Sequence, residues 1–304
     1  MDKVQFSLPE EASELTASEL AALRASENAL RQLFASSNLT EVLPPMFEYV
    51  DFYRSLGADF DSERMFQLIN HEGKTLSLRY DFTLPIARTF ALSNLTKQGY
   101  SYFGQVFRKE ARHKGRDTAT MQSGVELIGD FSDGEALELA QNALQTANLS
   151  DVKWVIGSSK IFDSLSALIG PDSLDLQEIF AKKKLSALTK IPSEIRELVK
   201  LCLISDDLSQ ILIEAKKLSL SELTAHLTDL SNLTKALNAD FCFDFGLLAP
   251  MPYYTGVIFQ VYQDNAAKPI LSGGRYDALL EKLGKPASAV GFCIDMNQIL
   301  KGGE

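Results

Sequence analysis

Two runs of strand character flank a charged break: Tyr100 to Phe107, then Arg108 to Thr118, then Thr120 to Ile128. The apolar and aromatic residues of both runs, with loop chemistry between them, predict a long hairpin. A ribbon of that length commits the chain to an antiparallel sheet on which the rest must pack, because two strands alone are marginal in water. The strands would hold Arg108, Lys109, Arg112, His113, Lys114 and Arg116 up to solvent. Charge does not choose between a solvated hairpin tip and an anion site.

Around this hairpin the pattern alternates between helix and strand. Thr16 and Glu19 have capping-box spacing, and Leu20, Leu23, Leu30, Leu33 and Phe34 fall near one face of the helix they open. Glu41 to Val50 mixes β-branched and aromatic residues around Pro44 and Pro45, which fits an edge or entry strand and excludes a central ladder position. A second capping box, Ser132 with Glu135, starts a helix carrying Leu137, Ala140 and Leu144, and Trp154 to Gly157 reads as a strand. From about Pro171 to Asn238 the composition shifts to Leu, Lys, Ser, Glu and Asp. The stripe Leu208, Ile211, Leu212, Ala215 and a third capping box at Ser219 and Glu222 predict a helical insertion there. Strand character returns at Phe241 to Leu247, Val257 to Tyr262 and Ser272 to Asp277, followed by a helix from Tyr276 to Leu283.

The 304 residues, 45% hydrophobic and 23% charged, suffice for a large core. No basic leader followed by an apolar run opens the chain, and no stretch reaches membrane-spanning length, so a cytoplasmic location without membrane contact is expected. Cys202, Cys242 and Cys293 form no CxxC pair and leave an odd one out, which suggests neither disulfides nor a metal site. A net charge of −10 opposes binding to the polyanionic backbone of nucleic acid.

Polar groups set in apolar strand contexts mark candidate chemistry, since burying them is costly without partners. Asp81, Gln122, Glu126, Tyr253 and Tyr254 are of this kind, either as a self-satisfied core network or as a site for a cationic or zwitterionic small molecule. Gly273 and Gly274, between a strand and a helix, permit close backbone approach or merely form a bulge. No GxGxxG fingerprint, P-loop, metalloprotease helix or nucleophile elbow occurs.

Taken in order, these segments resemble the histidyl-tRNA synthetase family. Residues 100–110, Gly115 with Arg116, and 122–129 resemble its motif 2; 253–256 and 273–277 resemble its two histidine signatures; 78–83 resembles the segment that holds the amino group of histidine. The strand around Pro45 to Glu48 resembles motif 1, the dimer element. The resemblance implies an α+β fold: a class II aminoacyl-tRNA synthetase-like catalytic core, a mainly antiparallel sheet flanked by helices, with a helical insertion. The core would comprise 1–170 and 240–304, the insertion 171–239, with no anticodon-binding domain in the four residues after Leu300. It also implies a histidine pocket of Asp81 (shortened from the family's glutamate), Thr83, Gln122, Glu126, Tyr253, Tyr254, Gly273, Gly274 and Tyr276, and candidate anion-binding arginines Arg108 and Arg116.

Departures from the family cluster on ATP. Gln298 stands where motif 3 has an arginine, Ala249 and Pro252 replace an arginine and aspartate of activation, and Thr120 replaces the ring on which adenine stacks. A histidine pocket kept without ATP chemistry resembles the synthetase paralogues that act as regulatory subunits of short-form ATP phosphoribosyltransferase. That resemblance implies no catalysis and no cofactor. Its implied partners are the separate catalytic subunit, a second copy of the chain and L-histidine as effector, with no tRNA. An ATP-dependent histidine-activating enzyme and a histidine sensor for another partner stay open at this point.

Overall fold

In the computed structural model, Leu8 and residues 14–56, 62–109, 118–170, 176–205, 207–235, 237–247, 253–264 and 266–301 are described. Thr16 caps α1 (Ala17–Ser36): its hydroxyl accepts from the Glu19 amide while the Glu19 carboxylate accepts from the Thr16 amide at 2.6 Å. Leu23, Leu30 and Phe34 are buried, and Phe34 packs on Phe103 and Phe292 of the sheet. Leu20, expected on that stripe, is 43% exposed. Three residues ahead of Leu23 it points about 60° away around the helix.

The stretch expected as one edge strand, Glu41 to Val50, is divided between two sheets. β1 (Thr40–Glu41) pairs in parallel with the hairpin, whereas β2 (Phe47–Tyr49) joins a small antiparallel sheet with β3 (Gln67–Ile69) and β4 (Thr75–Leu78), in the order β2-β4-β3. Pro44 and Pro45 lie between them, and with no amide hydrogens to offer a ladder they release the chain from one sheet to the other. After α2 (Val50–Leu56) and α3 (Thr83–Ala91), the hairpin forms as β5 (Gln98–Phe107) and β6 (Ala119–Ile128), in register from Gln98 opposite Ile128 to Phe107 opposite Ala119. Arg112, His113, Lys114 and Arg116 lie outside the described residues.

Ser132 and Glu135 form the second capping box, at the start of α4 (Asp133–Thr146), and Leu137, Ala140 and Leu144 are buried. β7 (Val152–Ser158) and α5 (Ser159–Ile169) follow, then α6 (Leu176–Ala181), a 3-10 turn at Leu185–Lys190, α7 (Arg196–Ile204), α8 (Leu208–Lys217) and α9 (Ser221–Thr234). The third capping box does not form. Ser219 instead ends α8 in the left-handed region, at φ 58°, with its amide on the Lys216 carbonyl, and Leu220 occupies the cap of α9 without a side-chain bond.

The chain then re-enters the first sheet with β8 (Asp240–Phe243), β9 (Val257–Gln263) and β10 (Leu271–Arg275), and after α10 (Asp277–Lys282) with β11 (Ala289–Asp295), leading into α11 (Met296–Lys301). β8 is shorter than the expected Phe241 to Leu247, because the Asp244 carboxylate takes the Gly246 amide at 2.8 Å and turns the chain. The order is β1-β5-β6-β11-β10-β9-β7-β8, parallel only at β1/β5 and β7/β8. This is the α+β, mainly antiparallel architecture expected.

Strand alternation divides the core. One face of the large sheet, with Val125, Leu127, Phe259 and Phe292, packs on α1, α4 and the helices after β7. The other carries Tyr100, Tyr102 and Ile128 under Tyr53, Phe82, Phe90 and Tyr276. The small sheet leaves Phe47, Tyr49, Leu68 and Ile69 exposed, Ile69 at 74%, while Glu48 turns inward to Arg88 of α3 at 2.5 Å. No helix among the described residues is long and apolar enough to cross a membrane.

These two serines separate capping from mere helix adjacency. Ser132→Ala should cost about 1 kcal/mol in urea unfolding through the lost cap, whereas Ser219→Ala should fall within about 0.5 kcal/mol of the parent.

Candidate functional site

Register places the site on the tyrosine-rich face of the sheet. Glu126 on β6 lies opposite Gly291 on β11, which lies opposite Gly274 on β10; one row along, Gly124, Cys293, Ser272 and Gln260 are aligned. A Cβ at Gly291 would overlap the Glu126 carboxylate, and one at Gly124 would overlap the Tyr102 ring. Glycine therefore lets the acid lie down across the neighbouring strand.

Elements above the sheet close over that acid. Thr83, at the start of α3, donates to Glu126 Oε1 at 2.6 Å, and Tyr276, at the β10–α10 junction, donates to Oε2 at 2.5 Å. Asp81 is buried, its Oδ2 accepting the Leu84 amide at 3.3 Å, and its Oδ1 has no hydrogen-bond partner among the described residues. Phe82 stacks on Tyr102 at 4.2 Å, and Tyr253 packs between Tyr254 and Tyr276 with centroid distances of 5.3 and 5.8 Å. Arg108 donates from Nε to the Tyr80 carbonyl at 3.0 Å.

A two-residue link joins this cup to the small sheet, since β4 ends at Leu78 and only Arg79 and Tyr80 precede Asp81. Arg79 is pinned on both sides, donating to the carbonyls of Pro44 at 2.7 Å and Gln105 at 2.9 Å.

Burial dominates the electrostatics. It pushes the Glu126 carboxyl up to about 8, against the hydrogen bonds from Thr83 and Tyr276 and with the Asp81 charge adding to the rise. It pushes Asp81 up to about 7, against the Arg108 charge and the Leu84 amide. The Cys293 thiol is driven up to about 12 by the same cause, so it is no nucleophile at neutral pH. The phenols of Tyr102, Tyr253 and Tyr276 are raised well above their ordinary value, again by burial first.

Asp81, Thr83, Gln122, Glu126, Tyr253, Tyr254 and Tyr276 all line one cavity of about 390 Å³, of a size suited to a small molecule. Gly273 and Gly274 do not line it. Gly274 makes room for the Tyr254 ring beneath the wall, and Gly273, one residue along and so on the other face, makes room for Phe259. Arg108 and Thr120 lie on the wall; Gln298 is half-buried on α11 and off it. Arg116, Ala249 and Pro252 lie outside the described residues. Sequence reasoning missed Tyr102, Gln260, Tyr262, Cys293 and Asp295 on the lining. Period-two alternation from Glu126 reaches none of them without the strand order, which brings β11 and β9 alongside β6 and β10. No group of three potential metal ligands occurs among the described residues.

The family model described as histidyl-tRNA synthetase matches residues 11–299. The chain belongs to the histidyl-tRNA synthetase family. Within it, the chain is 42% identical to the ATP phosphoribosyltransferase regulatory subunit of Lactococcus lactis subsp. cremoris (strain MG1363), over 99% of each sequence. It is 31% identical to the protein of the same name from Moorella thermoacetica, over 96% of this chain and 81% of that one. The solved structure of an ATP phosphoribosyltransferase regulatory subunit/histidyl-tRNA synthetase from Bacillus halodurans superposes with a TM-score of 0.85 at 25% identity, covering 98% of this chain and 83% of that one. The fold and the family resemblance read from the motifs are thereby borne out.

Two outcomes test this geometry. Gly291→Ala should displace Glu126 and cost about 1–3 kcal/mol in denaturant unfolding, as overpacking does. A carboxyl whose folded value is raised contributes stability that is full below its unfolded value and lost as pH rises through the folded one. For Glu126 that loss runs from 4.5 to about 8, and for Asp81 from 3.8 to about 7. The ligand-free chain should therefore melt lower at pH 8.5 than at pH 6, and Glu126→Gln should flatten the trend in a pH series of thermal melts.

Proposed function

We propose that this chain is the non-catalytic regulatory subunit of a short-form ATP phosphoribosyltransferase, required by the separate catalytic subunit for activity and carrying histidine feedback in histidine biosynthesis. The observation that supports the reading is an acidic cup, Asp81 shortened from the family's glutamate, beside a wall on which Thr120 carries no aromatic ring. Glu126, Asp81, Thr83, Tyr253 and Tyr276 converge on one cavity, while Thr120 offers a methyl and a hydroxyl where an adenine would need a ring.

In this reading the buried carboxylates complement the cationic groups of L-histidine. Asp81 Oδ1, without a partner among the described residues, takes the ammonium; Glu126, oriented by Thr83 and Tyr276, takes the imidazole; Arg108 on the wall stands on the side for the carboxylate. No bond is made or broken. Histidine acts by linkage, stabilising an assembly in which the catalytic sites are less active, so the effect on transfer is a coupling free energy between two sites.

The remaining assignments belong to the same proposal. One face of the small sheet exposes Phe47, Tyr49 and Leu68, which suits a second copy of the chain. Residues 1–170 with 240–304 form the synthetase-like core and 171–239 the insertion. A net charge of −10 favours solubility and disfavours tRNA binding, and a cytoplasmic location belongs to the same proposal. Arg108 on the cavity wall is the feature that favours the alternative, an ATP-dependent histidine-activating enzyme. Histidine-dependent pyrophosphate exchange by the purified chain would decide for that alternative.

Mixing the chain with a short catalytic subunit and assaying phosphoribosyl transfer should show activity that needs the chain and falls on adding histidine. Glu126→Ala and Tyr253→Phe should each weaken histidine binding by calorimetry, about tenfold or more for the acid, whose loss unpairs a buried ligand group. Unchanged affinity in both would place the effector elsewhere.

A further inference from the structure

Two carboxylates sit in the cup with no ion-pair partner for either among the described residues: Asp81 is 3% exposed and Glu126 2%. The groups facing them are few. Arg108 is held on the Tyr80 carbonyl, and Glu48 reaches in from the small sheet already paired with Arg88. The phenols of Tyr53, Tyr102, Tyr253, Tyr254 and Tyr276 and the Cys293 thiol also face them, and Tyr262, Lys268 and Asp295 line the same cavity. Two like charges so placed oppose each other's ionisation.

The partners of Glu126 can also accommodate a proton. Both are hydroxyls, Thr83 Oγ1 and Tyr276 Oη, and a hydroxyl can either donate or accept. A protonated Glu126 can donate to one of them while the other keeps donating to it, so the cup holds a proton without breaking its network.

We propose that entry of the cationic ligand expels a proton from the Asp81–Glu126 pair, so that effector binding, and with it feedback, strengthens as pH rises through neutrality. This rests on the reading that histidine occupies the cup. The ligand ammonium adds its charge to that of Arg108 against Asp81, and the Asp81 proton leaves to solvent. At Glu126 the proton either leaves to solvent or passes to the ligand imidazole, and only the first route is counted in the buffer. The burial-raised values of about 7 and about 8 put both groups in the range where this exchange is visible.

The test is calorimetric titration of L-histidine into the full chain at about pH 7 in two buffers of different ionisation heat, phosphate and Tris. The expected result is release of about half a proton or more per histidine, declining towards zero by about pH 8.5 as the free carboxyls ionise. Histidine affinity should rise correspondingly between pH 6 and 8. Binding with no buffer dependence at pH 7, or with net proton uptake, overturns the inference while leaving the regulatory reading intact. Absence of histidine binding at any pH from 6 to 8.5 overturns that reading and the inference with it. Asp81→Asn should release fewer protons than the parent, since the Asp81 proton leaves to solvent by either route; equal release would move the source away from the pair. If that variant binds too weakly to titrate, the parent's affinity across pH serves instead, and a flat profile overturns the inference.

Discussion

Glu126 is where the parts of the molecule meet. Its backbone belongs to β6, its side chain lies across Gly291 of β11, and its two oxygens are held by α3 through Thr83 and by the β10–α10 junction through Tyr276. Burying a carboxylate is costly unless its oxygens are satisfied, and satisfying those of Glu126 requires four segments of the chain to be in register. The acid thus specifies the assembly of its own pocket, at the cost of a charge that burial resists.

On the proposed reading, that arrangement serves recognition. Its thiol is held protonated, its acids are poised near neutrality, and the wall position of Thr120 has no ring for a base. Chemistry on a triphosphate needs fixed cations preorganised around the charge that develops, and Gln298 contributes none. Glu126 and its glycine track lie on β6, β11 and β10, with Thr120 on β6 as well, whereas Gln298 lies on α11 beyond the end of the sheet.

Most of the architecture could be read from local pattern. The hairpin, the capping boxes at Thr16 and Ser132 and the helices after β7 follow from signals within a few residues of one another. What local pattern misjudged had a competing local cause: the proline pair dividing one expected strand between two sheets, and the left-handed end of α8 using Ser219 before it could cap α9. In the site, motif residues such as Asp81, Thr83 and Tyr276 were legible because the family resemblance groups them. Cys293, Gln260 and Tyr262 were not, because their place depends on which strand lies next to which. Gly273 and Gly274 were read together, yet they serve opposite faces, a distinction that strand alternation makes and adjacency hides.

The link from Leu78 to Asp81 has a mechanical meaning. Arg79 is tied by its guanidinium to Pro44 at the foot of the small sheet and to Gln105 within the hairpin, and its carbonyl accepts the Phe107 amide. With no turn between them, a shift of the small sheet against the hairpin would have to break the bonds of Arg79 or carry Asp81 with it.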